Sequence, residues 1–242
     1  MQDNHYETLY RTESRHWWYK TRRKIIRNLI KKHRPSFGDE IKILDVGCGT
    51  GLLLKEMESL GNCFGVDVSK KAVDFCGKRG IVNVQVADAA GIPYPDNTFD
   101  VAVALDVIEH IESDDKAISE IYRVLKPRGV AIITVPSFMF LWGVTDVVSR
   151  HRRRYTLPEL RKKVKKENFS IIRASYFNTF LFPFISIVRF AVRWLRVPMK
   201  SENSEGRGLI NFVLFMIFYA ESILFRYVNL PFGVSAIVIC KK

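Results

Sequence analysis

Five short apolar runs, separated by segments of helical periodicity, constrain the fold of this chain more than any other feature of its sequence. The runs are IKILDVG (41–47), NCFGVDV (62–68), NVQVADA (83–89), FDVAVALDV (99–107) and GVAIITVP (129–136). The segments 51–60, 69–79 and 114–125 between them have the apolar spacing of amphipathic helices. Strands that alternate with helices form a parallel sheet covered on both faces. The sequence therefore predicts an α/β fold.

The remaining strands and the domain boundaries come from the C-terminal part. Two more strands are predicted at 169–177 and 234–240, which completes a doubly wound, mostly parallel, Rossmann-like sheet of seven strands. The residues between these two strands are rich in Phe, Ile, Leu and Trp and predict an inserted pair of helices. We therefore divide the chain into a basic amphipathic helical segment (1–40), a core (41–176), an apolar helical insertion (177–232) and the last strand of the core sheet (233–242).

The positive charge of the chain is concentrated in two short segments. The net charge is +13, yet residues 41–149 carry 10 basic and 15 acidic side chains. Residues 11–34 carry 10 basic side chains and one acidic, and residues 150–167 carry nine and two. Clustered Lys and Arg attract anionic partners such as phospholipid headgroups, pyrophosphate or nucleic acid. The other interpretation is a solvated helix face, and the charge pattern alone leaves both open.

A glycine-rich turn follows the first strand. In the run Ile43-Leu-Asp-Val-Gly-Cys-Gly-Thr-Gly51 the backbone can approach a ligand closely at the start of a helix. Asp67 stands twenty residues after Gly47, at the end of the second strand, where a carboxylate can accept both hydroxyls of a ribose. Leu52 occupies the place where a dinucleotide-binding fingerprint needs its third glycine. The sequence therefore favours a nucleoside cofactor other than a dinucleotide.

These motifs, together with FDVAVALDVIEHI and LKPRGVAIITVP, resemble the class I S-adenosylmethionine-dependent methyltransferases over residues 41–136. The resemblance implies S-adenosylmethionine as cofactor and S-adenosylhomocysteine as product. It implies that Asp88 meets the adenine amino group and that Arg22, from an N-terminal helix, pairs with the methionine carboxylate. The segment WWYKTRR (17–23) that contains Arg22 can instead be a Trp-rich anchor at a membrane interface. The other cofactor-binding residues that it implies are Asp45, Gly47, Cys48, Gly49, Gly51, Asp67, Val68, Asp88, Ala89, Leu105 and Asp106.

Two histidines are candidate general bases because they follow strands whose carboxyl ends face the ligand in open α/β sheets. His110 follows the fourth strand, and His151 lies in the basic loop after the fifth. Either histidine can instead be structural. The arginines of that loop are predicted to clamp phosphate or carboxylate oxygens of the acceptor. The substrate-binding residues so predicted are Arg152, Arg153, Arg154 and Tyr155.

No metal site is predicted. Glu109, His110 and His151 offer suitable ligand atoms, but the sequence gives them no fixed ligand spacing. No secretory signal precedes the basic N-terminal segment, and we expect a cytoplasmic location.

The apolar insertion must be shielded from water. The segments 177–194 and 209–232 are too short or too charged to cross a membrane simply, yet too apolar to stay exposed. Three arrangements would bury them: contact with a bilayer surface, contact with a second subunit, or packing against each other over a hydrophobic acceptor. Arg189, Arg193 and Arg196 recur at helical spacing, which favours a helix lying among lipid headgroups at the inner face of the membrane.

The leading hypothesis is a methyltransferase that O-methylates a hydrophobic or lipid-linked anionic small molecule at the cytoplasmic membrane surface. The alternatives are an RNA methyltransferase, a quinone methyltransferase of the ubiquinone or menaquinone type, a non-catalytic S-adenosylmethionine-binding membrane adaptor and a nicotinamide oxidoreductase. Nucleic acid is disfavoured as a partner, because no Asn/Asp-Pro-Pro-aromatic motif and no Pro-Cys nucleophile follow the fourth strand.

Overall fold

A seven-stranded sheet forms the centre of the molecule. The computed structural model describes residues 3–35, 41–195 and 208–242. Its strands, in the order β3-β2-β1-β4-β5-β7-β6, are β1 (Lys42–Val46), β2 (Asn62–Asp67), β3 (Val84–Val86), β4 (Phe99–Leu105), β5 (Leu125–Pro136), β6 (Ser170–Phe177) and β7 (Ser235–Lys241). Only β7 runs against its neighbours within this sheet. The predicted doubly wound, mostly parallel fold is confirmed.

The two central strands are apolar on both faces because helices cover both faces of the sheet. Every residue of β4 is buried, as are the last four residues of β1. Successive side chains enter opposite core layers, since Ile43 packs in one cluster and Leu44 in the other. This double burial is the physical basis of the unbroken apolar runs in the sequence.

Nine α-helices flank the sheet in the described part of the chain. They are α1 (Asp3–Thr12), α2 (Trp17–His33), α3 (Leu52–Met57), α4 (Lys70–Lys78), α5 (Asp114–Val124), α6 (Val144–Ser149), α7 (Leu157–Lys166), α8 (Phe182–Trp194) and α9 (Gly208–Leu224). The capping box that starts α7 forms as its residues suggest, with Glu159 Oε2 accepting the Thr156 amide at 2.7 Å. Helix α1 was not predicted from the sequence.

The inserted helices α8 and α9 are partly integrated into the core. The ring of Trp18, from α2, stacks on Phe218 of α9 with centroids 5.3 Å apart, and on Phe177 at 5.7 Å. Phe218 is fully buried, whereas no residue of α8 is buried. Arg196, the third arginine of the expected stripe, lies outside the described residues. None of the helices in the described ranges is both long and apolar enough to cross a membrane.

Candidate active site

A large cavity of about 1150 Å³ opens at the carboxyl ends of the central parallel strands. One end lies against the glycine turn after β1. The other end lies against α6, α8 and α9, where the lining is mainly apolar. Ligands bind at this edge of open α/β sheets because the loops that follow the strands converge there. The cavity is therefore our candidate active site.

The glycine turn adopts a backbone that side chains would prevent. Gly47, Gly49 and Gly51 have φ of +74°, +56° and +80°, in the left-handed region that favours glycine. A Cβ at position 47 would lie 2.4 Å from Cγ2 of Val107, and one at position 51 would lie 2.7 Å from Sγ of Cys76. Side chains packed behind the turn therefore leave no room for a Cβ at positions 47 and 51. Gly47, Cys48 and Gly49 line the cavity.

Two buried carboxyls lie beside this turn. Asp67 accepts hydrogen bonds from the amides of Gly49 and Ser69, each at 2.9 Å. Burial raises the pKa of Asp67, and these amide hydrogen bonds oppose the shift. Burial raises the pKa of Asp45 to about 8. Both carboxyls line the cavity, in the places where the sequence resemblance implies contacts to the cofactor.

The N-terminal helix α1 covers the end of the cavity that contains Asp67, and this helix was not predicted. The hydroxyl of Tyr6 donates a hydrogen bond to Asp67 at 3.3 Å. The carboxylate of Glu13 pairs with Arg79 and accepts the hydroxyl of Thr50. Tyr6 and Leu9 line the cavity, and their spacing of three residues was the available signal of a helix facing the core.

Arg22 of α2 reaches the end of β4. Its guanidinium contacts the carboxylate of Asp106, which also accepts the hydroxyl of Thr134 at 3.0 Å. The Nε atom of Arg22 is buried and has no hydrogen-bond partner among the described residues. Arg22, Leu105 and Asp106 all line the cavity. A donor is therefore available at the place where the resemblance implies a methionine carboxylate.

Four of the implied cofactor-binding residues do not line the cavity: Gly51, Val68, Asp88 and Ala89. The side chain of Val68 is 69% exposed. Asp88 is exposed and accepts the amide of Ala90 at 2.8 Å, as a turn carboxylate does. Gly51 packs behind the turn instead, against Cys76. Contact of Asp88 with the adenine, and of the other three residues with the cofactor, stays a prediction.

Three potential metal-ligand side chains, those of Glu109, His110 and His151, lie close together near the carboxyl end of β4. The Nε2 atoms of His110 and His151 lie 4.0 and 3.9 Å from Oε1 of Glu109. Glu109 is fully buried, and burial raises its pKa. Burial and the neighbouring His151 lower the pKa of His110 to about 4. Both histidines line the cavity, so the sequence placed its two candidate bases together.

The side chains of the basic loop make hydrogen bonds and ion pairs within the protein. Arg154 is buried, and its guanidinium donates to both oxygens of Asp146 at 2.8 and 2.9 Å and to the carbonyl of Ser137. The neighbouring residues of the loop also have partners within the protein. The hydroxyl of Tyr155 donates a hydrogen bond to the carboxylate of Asp114 at 2.6 Å, and the guanidinium of Arg152 lies 3.5 Å from the carboxylate of Glu112.

Arg153 likewise donates to the carbonyl of Glu112 at 3.0 Å. Of the four predicted substrate-binding residues, only Arg154 lines the cavity. The arginines that do face its apolar end are Arg189 and Arg193 of α8. Their helical spacing was visible in the sequence, but their common direction into a cavity was not.

The comparisons with known proteins agree on the core. A family model described as a methyltransferase domain matches residues 44–133. The tRNA (carboxymethyluridine(34)-5-O)-methyltransferase of Arabidopsis thaliana is 40% identical over 98 residues, 38% of this chain and 23% of that protein. The demethylmenaquinone methyltransferase of Symbiobacterium thermophilum is 34% identical over 136 residues, 51% of each chain. The chain thus spans about half or less of the length of these relatives.

The fold has solved counterparts. The structure of a methyltransferase from Thermotoga maritima, described as a possible histamine N-methyltransferase, has a TM-score of 0.59 and 17% sequence identity. The match covers 99% of this chain and 95% of that one. At this identity the likeness shows the fold alone. The family match identifies residues 44–133 as a methyltransferase domain, and the seven-stranded sheet and the glycine turn agree with the S-adenosylmethionine-dependent class I type that the sequence resembles.

Proposed function

We propose that this chain transfers a methyl group from S-adenosylmethionine to a hydrophobic, anionic small-molecule acceptor, by O-methylation. One observation carries the proposal: the same cavity joins the glycine turn to an apolar chamber that contains two arginines. Its volume of about 1150 Å³ exceeds the range of about 300 to 1,000 Å³ usual for one drug-sized ligand. The cavity thus has room for a cofactor and a second molecule.

The lining of the distal chamber supports the acceptor class. Apolar side chains of α8 and α9, among them Phe184, Val188 and Leu214, form one wall. Arg189 and Arg193 lie on the same wall. Arg189 donates to the carbonyl of Leu141 and lies 3.9 Å from Asp146, so we assign the recognition of phosphate or carboxylate oxygens to Arg193. An acceptor with a greasy body and an anionic group complements both features. The two curated relatives act, by their names, on a transfer RNA and on a quinone precursor, so the core alone does not set the acceptor.

The chemistry asks mainly for alignment and exclusion of water. The acceptor oxygen bonds to the methyl carbon while the bond from that carbon to sulfur breaks and its electron pair stays on sulfur. The acceptor's proton must leave, and His151 is placed to receive it. Its Nδ1 lies 2.8 Å from the buried carboxylate of Asp146, which fixes the ring, and the side chain of His151 lines the cavity.

Transfer of a tritiated methyl group into fractionated cell extract tests the proposed function. We expect label in the lipid and hydrophobic small-molecule fraction, with none when Gly47→Val protein is used. That variant places a branched side chain where even a Cβ meets Val107 at 2.4 Å. Label in RNA would replace the proposal by an RNA methyltransferase. Binding of S-adenosylhomocysteine without label in any fraction would favour the non-catalytic adaptor.

Contact with a membrane surface is the second part of the proposal. The exposed faces of the inserted helices are apolar, with Phe190 72%, Trp194 80% and Leu209 76% exposed. Lysines of α2 border this surface, since Lys20 Nζ lies 4.5 Å from the ring centroid of Phe215 and Lys24 Nζ donates to Tyr219. An apolar face edged by cations suits the headgroup boundary of an anionic bilayer.

Sedimentation with liposomes tests this contact. We expect the native protein to bind vesicles containing anionic lipid, and the double variant Phe190→Asp, Trp194→Asp to lose at least about tenfold in affinity, because each buried aromatic contributes roughly 1.5 to 3 kcal/mol. Val82→Asp is the matched control, since Val82 is 86% exposed but lies on the loop before β3, away from these helices. Equal binding by the double variant and the control, or no binding by native protein, would contradict membrane contact. Deleting 177–232 is unsuitable because it removes the buried Phe218.

A further inference from the structure

We propose that Glu109, His110 and His151 bind a divalent transition-metal cation at the acceptor end of the cavity. One ligand atom from each side chain lies within 4.8 Å of the other two. Two imidazole nitrogens and one carboxylate oxygen form a donor set that suits first-row ions such as Zn²⁺, Co²⁺ or Mn²⁺. Three protein ligands leave a coordination position open for an oxygen of a substrate.

The first argument is the state of Glu109. Neither carboxylate oxygen has a hydrogen-bond partner among the described residues, and the side chain is fully buried. A buried polar group without a partner costs about 1 to 3 kcal/mol, and more when the group is charged. A cation between Glu109 and the two imidazoles would provide the missing partner and balance the negative charge.

The second argument is the orientation of His151. Its Nδ1 lies 2.8 Å from Oδ1 of Asp146. The oxygens of that carboxylate also accept hydrogen bonds from Arg154 at 2.8 and 2.9 Å and from the amide of Gly143 at 2.7 Å, so Asp146 acts as an acceptor. Nδ1 therefore carries the proton, and Nε2, which keeps the lone pair, lies 3.9 Å from Oε1 of Glu109. Two acceptors that face each other need a proton or a cation between them. Carboxylate support of the far nitrogen is also the usual second partner of a metal-bound histidine.

The third argument is distance. Ligand atoms about 2.1 Å from a tetrahedral ion lie about 3.4 Å from one another. The two separations from Glu109, 3.9 and 4.0 Å, are about half an ångström wider, and the three ligand atoms all lie within 4.8 Å of one another, so the side chains would have to close on the ion.

This inference rests on the proposed function for one point only, the role of the ion. His110 and His151 line the cavity beside Asp106, so an ion held by them would face the acceptor. It would hold an acceptor oxygen toward the methyl group and favour loss of its proton. The two histidines would then be ligands, and His151 would not accept the proton directly.

Metal binding can be measured without methyl transfer. Untagged, chelator-treated protein is dialysed against Zn²⁺, and bound zinc is counted per chain; Co²⁺ is added separately and its visible absorption recorded. We expect one ion per chain in native protein and a loss of affinity of at least about tenfold in Glu109→Gln and in His151→Gln. The control is His33→Gln, at the far end of α2, which should bind as the native protein does.

The variants are expected to stay folded, because glutamine matches the shape of the buried glutamate. Binding of S-adenosylhomocysteine by each variant checks the fold and tests the proposed function separately from the metal. Zinc content in native protein no higher than in Glu109→Gln would overturn the metal site. Failure of the native protein to bind S-adenosylhomocysteine would instead overturn the proposed function.

Discussion

Arg154→Met should lower the free energy of unfolding by about 3 to 5 kcal/mol, because it leaves the buried carboxylate of Asp146 without its bidentate partner. The guanidinium of Arg154 is enclosed, and three of its hydrogen bonds go to Asp146 and to the carbonyl of Ser137. For a chain of this size that loss corresponds to a fall in melting temperature of roughly 10 °C. Thermal denaturation followed by circular dichroism measures it.

Arg152→Met is the matched control. Its side chain is 51% exposed and lies 3.5 Å from Glu112, so we expect a change within about 0.5 kcal/mol. The comparison also decides between two roles for Arg154. If this arginine clamps the acceptor, as its sequence context suggested, the variant keeps its melting temperature and the KM for the acceptor rises. If Arg154 instead supports the loop, the melting temperature of the variant falls.

Asp67→Asn should weaken binding of S-adenosylhomocysteine by roughly 100-fold. Hydrogen bonds to a charged group contribute about 1.5 to 3 kcal/mol each, and an amide presents one acceptor oxygen to the ribose hydroxyls instead of two. The single oxygen of the substituted amide must also serve the backbone amides of Gly49 and Ser69, which the carboxylate of Asp67 now receives on separate oxygens. Titration calorimetry gives the dissociation constants directly.

Two controls separate the carboxylate from its surroundings. Tyr6→Phe removes the hydroxyl that α1 donates to Asp67 but leaves both carboxylate oxygens in place, and we expect at most a few-fold change. Asp88→Asn tests the exposed turn residue that was assigned to the adenine. Affinity of the Asp67→Asn variant close to that of native protein, with an unchanged melting temperature, would show that Asp67 does not hold the ribose.

The sheet and the cofactor end were predictable because their signals are local. Apolar runs are strands wherever both faces are covered, and Gly47 with Gly51 follows from backbone angles that other residues rarely adopt. Asp67 was predicted as a cofactor-binding residue from its position in the sequence, twenty residues after Gly47. Each of these inferences needs only neighbours in sequence and a general rule of α/β folds.

The acceptor end was not predictable, because its side chains depend on distant partners. The loop arginines look alike in sequence, yet Arg154 is buried by Asp146 whereas Arg152 is exposed. Helix α1 was missed because its contact with the core is limited to a few residues, including Tyr6, which is buried against Asp67. The grouping of Glu109 with His151 likewise depends on a loop that returns to the sheet about 40 residues later.

The order of strands at one edge of the sheet has a consequence for synthesis. Strand β6 does not touch β5; β7 pairs with both and lies between them. The 57 residues between Phe177 and Ser235 must therefore leave the ribosome before β6 can join the sheet. At about 5 to 20 residues per second, that delay lasts roughly 3 to 11 seconds. During this interval the nascent apolar helices have no completed core to pack against, so chaperones or a nearby bilayer are the first apolar surfaces that they can contact.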